Sequence, residues 1–127
     1  MDLNILSLAS ALAHHASARQ QVISENVANA DTPGYRARDI APFAAYLEHG
    51  PAFEAKRTRP EHVAFGSGVG GFEPEPSAAF GAETPNGNSV SLEDQMMRGA
   101  EVSQEHGLAI GVYSKSLAIL RTVVAGR

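Results

Sequence analysis

A chain of 127 residues has room for one domain and too few positions for a second core. Its formal charge of -4 and pI near 5.7 argue against nucleic acid, because phosphate binding asks for clustered Lys and Arg. The basic residues are scattered; only Lys56, Arg57 and Arg59 lie close together, as in a solvated turn. With no cysteine there is neither a disulfide framework nor a thiolate site, which leaves the redox compartment open.

The apolar run at 5–13 ends in Ala11-Leu12-Ala13, like a secretory cleavage site, yet Asp2 precedes it and no base comes before Arg19. It is also too short to span a bilayer. It reads as mature structure. Residues 3–31, free of Gly and Pro, predict one helix of roughly 43 Å at 1.5 Å per residue. Two stripes run along it at alternating spacings of three and four. One is Ile5, Leu8, Leu12, His15, Arg19, Val22; the other is Leu6, Ala9, Ala13, Ala16, Gln20, Ile23, Val27, Ala30. A helix with one partner needs one stripe, so two imply partners on two sides.

Pro33 disfavours helix at Thr32, and Pro33-Gly34 suits the central positions of a type II turn. Asn26 and Asn29, on one face of the last helical turns, are placed to tie the helix end to that turn or to a neighbouring chain.

Residues 36–90 hold seven Gly and six Pro, which excludes long helices and leaves an irregular insert. A short helix fits 42–48, and short β-strands fit 62–65 and the surroundings of Phe72. Residues 66–71 match G-x-G-x-x-G, but Phe72-Glu73-Pro74-Glu75-Pro76 cannot open the helix that a dinucleotide site requires. A loop is the better reading.

Residues 91–124 predict a second long helix of roughly 50 Å, opened by a candidate capping box of Ser91 and Asp94. Its four-three stripe is Leu92, Met96, Gly99, Ser103, His106, Ile110, Tyr113, Leu117, Leu120 and Val124. Acids fall early (Glu93, Asp94, Glu101, Glu105) and bases late (Lys115, Arg121, Arg127), as the helix dipole favours. Gly99, Gly107 and Gly111 each cost about 0.8 to 1 kcal/mol relative to Ala. With Ser103 they make a line of small residues every four positions, which suits close helix contact.

Nothing in the sequence supports catalysis, a metal site or a cofactor. His14 and His15 point about 100° apart on a helix, unlike the i,i+4 ligand pair. The carboxylates of the insert lie in Pro/Gly-rich sequence rather than on rigid elements. His15 and His106 fall on seams, where a hydrogen-bonded packing role is expected.

One motif stands above this background. Asn26, Ala28, Asn29, Thr32, Pro33, Gly34 and Tyr35 fill every fixed position of Asn-x-Ala-Asn-x-x-Thr-Pro-Gly-Tyr/Phe. The chain thereby resembles the rod and hook family of bacterial flagellar axial proteins. Arg36-Ala37-Arg38-Asp39-Ile40, residues 58–63 with His62, and Gly87-Asn88-Ser89-Val90 are similar to its proximal-rod members in particular. The resemblance implies a rod subunit of the basal body, in the periplasmic space, exported uncleaved by the flagellar type III apparatus. It implies partners among its own copies and other rod proteins (FliE, FlgC, FlgF) at the membrane-ring end, with no membrane span of its own.

The expected fold is mainly α: two long terminal helices, in 1–35 and 91–127, pair as an antiparallel coiled-coil hairpin around the insert 36–90. Ile5, Leu8, Leu12, Val22, Ile23, Val27, Leu92, Met96, Ile110, Tyr113, Leu117, Leu120 and Val124 are the expected seam and subunit-interface residues, with close contact at Gly99, Ser103, Gly107 and Gly111. Such a hairpin buries one stripe per helix. The free subunit is therefore expected to be poorly ordered and to consolidate on assembly. Two alternatives fit the same pattern. One is another axial subunit such as FlgC, against which the compact 29–35 run speaks; the other is a helical adaptor or chaperone-type binding module.

Overall fold

The computed structural model describes residues 3–48, 72–77 and 83–126. Along the chain these form α1 (Leu3–Ala28), β1 (Arg38–Asp39), α2 (Phe43–Glu48), β2 (Glu75–Pro76) and α3 (Leu92–Ala125). The described part is mainly helical, with two long helices near the ends of the chain. The stretches 58–63, 62–65 and 66–71, with the Lys56, Arg57 and Arg59 trio, lie outside the described residues.

α1 stops three residues short of the expected end. The Asn29 amide N–H is shared between Glu25 O (3.1 Å) and Asn26 O (3.2 Å), and Ala30 N bonds Val27 O at 3.2 Å. These shorter-range bonds tighten the last turn and end the α-helix before Pro33 can act. The type II turn then follows as expected: Tyr35 N donates to Thr32 O at 3.2 Å, and Gly34 has φ 74°.

Ser91 caps α3, accepting from Asp94 N at 3.3 Å. Only half of the capping box forms, because the Asp94 carboxylate turns to Arg98, 2.9 Å away. The short helix begins at Phe43, one residue later than expected. β1 pairs antiparallel with β2, Arg38 opposite Pro76. The strand expected near Phe72 thus falls at 75–76, against a partner strand that periodicity did not predict.

The core has two parts, on two sides of α1. On one side Ala16 and Ile23 pack with Val102 of α3. On the other, Ala18 and Val22 pack with Ile40 and Phe72, flanked by Phe43 and Tyr46. Two partners for α1 were expected, and one of them is the chain's own insert. The expectation that neighbours must cover the second stripe is therefore corrected for the C-terminal half of α1. At the other end Ile5 and Leu8 are each 43% exposed.

The face that α3 turns inward differs from the expected stripe. Gln95, Val102 and Ala109 are buried at seven-residue spacing, with Asp94 beside Gln95. Leu92, Met96, Ile110, Tyr113 and Val124 are exposed, while Leu117 and Leu120 are half-buried. In its first half the buried face is rotated by one residue, about 100°, from the stripe read by apolarity. Polar side chains set that rotation.

Candidate functional site

The site is a junction where the end of α1, the turn, β1 and the start of α3 meet. Asn26 lies at its centre, fully buried. Its Nδ2 donates to Arg38 O at 2.6 Å and to Gln95 Oε1 at 2.9 Å. Its Oδ1 accepts from Arg38 N at 3.1 Å and from Tyr35 Oη at 3.2 Å. Both donors and both acceptor positions of the amide are used, so its burial leaves nothing unpaired. Helical spacing brings Asn26 to the inner face of α1; the tight turn returns Tyr35 and Arg38 to it.

Asn88 plays the matching part from the other side. Buried, it donates from Nδ2 to Asn29 O at 2.8 Å and Thr32 O at 2.7 Å, and its Oδ1 accepts from Val90 N at 2.8 Å. Gly34 N donates to Asn86 O, and Ser89 N to Tyr35 O, each at 3.0 Å. Gly87, with φ 82°, brings its backbone against Gly34; a Cβ there would lie 3.5 Å from the Gly34 Cα. Residues 84–90 thus cradle the turn before α3 begins.

The third tie is ionic. Arg19 on α1 donates from Nε and Nη2 to the two Asp39 oxygens, at 3.0 and 3.1 Å. Arg98 on α3 donates from Nη1 to the same carboxylate and to Ser77 Oγ, the latter at 3.0 Å. Ile40 N adds a bond of 2.8 Å to Asp39 Oδ1. Burial pushes the Asp39 carboxyl up, but Arg19, the Ile40 amide and Arg98 together outweigh it and hold it below its ordinary value. One carboxylate joins α1, β1 and α3, and Arg98 carries the tie on to Ser77 after β2.

His15 anchors the insert. Its Nε2 donates to Ala41 O at 2.7 Å, and its ring meets Phe43, Tyr46 and Phe72, with centroids 4.9 to 5.8 Å apart. This is the hydrogen-bonded packing role expected of it. His106 departs from that expectation: it is exposed, on the rim of a groove between α1 and α3.

Of the motif residues, Asn26 and Tyr35 enter the junction through their side chains. Asn29 caps its own helix, donating to Glu25 O at 2.8 Å and accepting from Thr32 Oγ1 at 3.2 Å. Ala28, Thr32, Pro33 and Gly34 are exposed. Among the seam residues Val22 and Ile23 are buried, Leu12 is half-buried, and Ile5, Leu8 and Val27 are exposed. Among the described residues nothing outside the adjoining turns of α3 comes within 4 Å of a Cβ placed on Gly99, Gly107 or Gly111, so the expected close contact is not seen among them. Gln95 and Arg98 lie off the apolar stripe of α3 and Asn88 lies outside the fixed positions of the motif, so neither spacing nor motif marks them. Asp39 lies in Pro/Gly-rich sequence, yet β1 sets it between Arg19 and Arg98. The signals that marked two of them were the continuations 36–40 and 87–90.

No group of three or more His, Cys, Asp or Glu among the described residues is arranged to hold a metal ion. The arrangement positions backbone.

Comparison with known proteins gives this junction a class. A family model described as flagella basal body rod protein matches residues 5–36, which span most of α1 and the whole motif. The flagellar basal body rod protein FlgB of Aeromonas hydrophila is 32% identical over 113 residues, covering 87% of this chain and 79% of the relative. The FlgB of Agrobacterium fabrum is 29% identical over 110 residues, covering 84% and 81%. The chain belongs to the FlgB family of flagellar basal body rod proteins.

Proposed function

We propose that this rod protein is a proximal-rod subunit that transmits torque and lines the export channel through its two long helices, paired as an antiparallel coiled-coil hairpin. The observation that carries the reading is the junction: Asn26 against Gln95, and Arg19 and Arg98 on one Asp39 carboxylate. Contacts that climb one helix as they descend the other, from Asn26–Gln95 to Arg19 within 4.0 Å of Glu105, support the hairpin. A subunit under torsion needs its helices locked against rotation about their axes. Three polar ties of fixed geometry resist that rotation where apolar packing alone lets helices slide.

Neighbours in this reading are its own copies and the rod proteins FliE, FlgC and FlgF, at the membrane-ring end of the basal body in the periplasmic space. The interface they would cover includes the exposed Ile5, Leu8, Met96, Ile110, Tyr113 and Val124. The exported chain, carried uncleaved by the flagellar type III apparatus, folds its junction after passage. The test is a deletion strain complemented with Asp39→Asn, scored for motility and for the protein in purified basal bodies. The reading expects the protein in basal bodies and reduced swimming; wild-type swimming with the lock removed contradicts it.

A second reading has one observation in its favour. α3 is long and apolar enough to cross a membrane, and most of its residues are exposed. Against it, α3 carries Asp94, Arg98, Glu101 and Glu105 in its first half and Lys115 and Arg121 in its second. Alkaline extraction of membranes separates the two: an assembled subunit without a span of its own is released.

A further inference from the structure

The chain has five asparagines, at 4, 26, 29, 86 and 88, and Asn86 alone is followed by glycine. That pair carries a chemistry the junction does not use. Gly87 has no side chain to hinder its own amide nitrogen. The nitrogen can therefore reach the Asn86 side-chain carbonyl carbon and close a five-membered ring. Asn86 is exposed, so water and base have access to it.

The closed junction holds the two reactants apart. Residues 84–87 form a turn in which Gly87 N donates to Thr84 O at 2.9 Å. Pro85 and Asn86 fill its central positions with negative φ and trans peptides, which makes it type I. Such a turn sets ψ of Asn86 at about 0°. Ring closure needs another geometry, with the Gly87 nitrogen swung round to the side of the Asn86 Cβ. The side chain is pinned as well: Asn86 Oδ1 accepts from Asn88 N at 3.1 Å and from the Thr84 hydroxyl. Across the junction, Gly34 N donates to Asn86 O at 3.0 Å. Nucleophile, electrophile and the peptide between them are each tied.

We propose that Asn86 is a self-modification site, which deamidates through Gly87 while the junction is open and is held inert once it closes. The Gly87 nitrogen gives its proton to hydroxide and attacks Asn86 Cγ. The N–Cγ bond forms, the Cγ–Nδ2 bond breaks, and Nδ2 takes a proton from water and leaves as ammonia. Water then opens the succinimide at one of its two carbonyls. Opening at Cγ gives aspartate on an unchanged backbone. Opening at the former backbone carbonyl gives isoaspartate, whose chain runs on through Cβ. That extra backbone atom has no room in the cradle, where a Cβ on Gly87 would already lie 3.5 Å from the Gly34 Cα. A chain left open is thereby retired from the folded pool, and a closed one is kept.

The test incubates the full chain in mildly alkaline buffer, either folded or unfolded in guanidinium chloride, and follows each asparagine by mass spectrometry. Asn86 should convert first in the unfolded chain. In the folded chain it should convert more slowly by roughly tenfold or more, because the reaction waits for the turn to open. Urea below the unfolding midpoint should speed it. Chains aged unfolded and then refolded should sort by product, the isoaspartate form having a lower urea midpoint than the unmodified one. Equal rates in folded and unfolded chain, conversion of another asparagine ahead of Asn86, or isoaspartate chains with the wild-type midpoint would overturn the proposal.

Discussion

Asn26 donates to Gln95 Oε1 at 2.9 Å, joining the last turn of α1 to the first turns of α3 across 69 positions of sequence. Both residues are buried, and the same Asn26 amide also binds Tyr35 and both backbone groups of Arg38. Neither helix end can rotate without breaking it. Replacing Asn26 by Ala strands the buried Gln95 and leaves the part-buried Arg38 amide without its partner. At roughly 1 to 3 kcal/mol per unsatisfied group, the expected loss is about 3 kcal/mol, read from the urea midpoint. A midpoint within error of wild type would contradict the junction's role.

The turn should be tested through assembly. Pro33→Ala with Gly34→Val removes the preset φ and forces a β-branched residue to φ 74°. Pro33 and Gly34 are exposed, and among the described residues nothing lies within 4 Å of a Gly34 Cβ, so the penalty there is backbone strain. The variant should stay soluble while rod incorporation and motility fall. Incorporation at the wild-type level would remove any special role for the turn.

Asp39 gives a pH signature. Its pKa is lowered in the folded chain, so its contribution is complete above the ordinary carboxylate value, near pH 4, and is lost as pH falls through the lowered one. Wild type should hold its stability from neutrality to about pH 4 and lose it below. Asp39→Asn should be less stable at neutral pH by about 3 kcal/mol, the low end for stranding partners of a buried ion pair, and should show a flatter acid limb. Urea titrations at several pH values measure both. An acid limb as steep in the variant as in wild type would assign it to other carboxylates.

Gly107→Leu separates propensity from contact. Space beside Gly107 is open among the described residues, so the substitution should raise helicity and leave the free subunit at least as stable. Rod incorporation should nonetheless fall, because a neighbour's close approach is lost. A variant that assembles as well as wild type would show that the glycine is merely tolerated.

Much of the architecture was legible because helices announce themselves by composition and by Gly and Pro at their ends. The turn was legible because Pro33-Gly34 has few ways to fold. The inner face of α3 was not, since apolar periodicity rewards Leu92, Met96 and Ile110, while the contact was chosen by Gln95 and Arg98. Their partners Asn26 and Asp39 lie 69 and 59 positions away, beyond any local pattern. The docking of Ile40, Phe43, Tyr46 and Phe72 on α1 was hidden for the same reason. A Pro/Gly-rich insert carries no period that says where its aromatic residues return.

One half of the molecule closes on itself, and the other is expected to be finished by neighbours. Around Asn26, both sides of α1 are covered and the ties to α3 are made. Beyond Ala109, Ile110, Val112, Tyr113, Ile119, Val123 and Val124 remain exposed. Amide hydrogen exchange on dilute monomer and on purified rods tests this most directly. Protection of 16–26 and 95–109 is expected in both states, and protection of 5–12 and 110–124 only in the rod. Equal protection of 110–124 in monomer and rod, or exchange of 16–26 as fast as the helix tips, would contradict it.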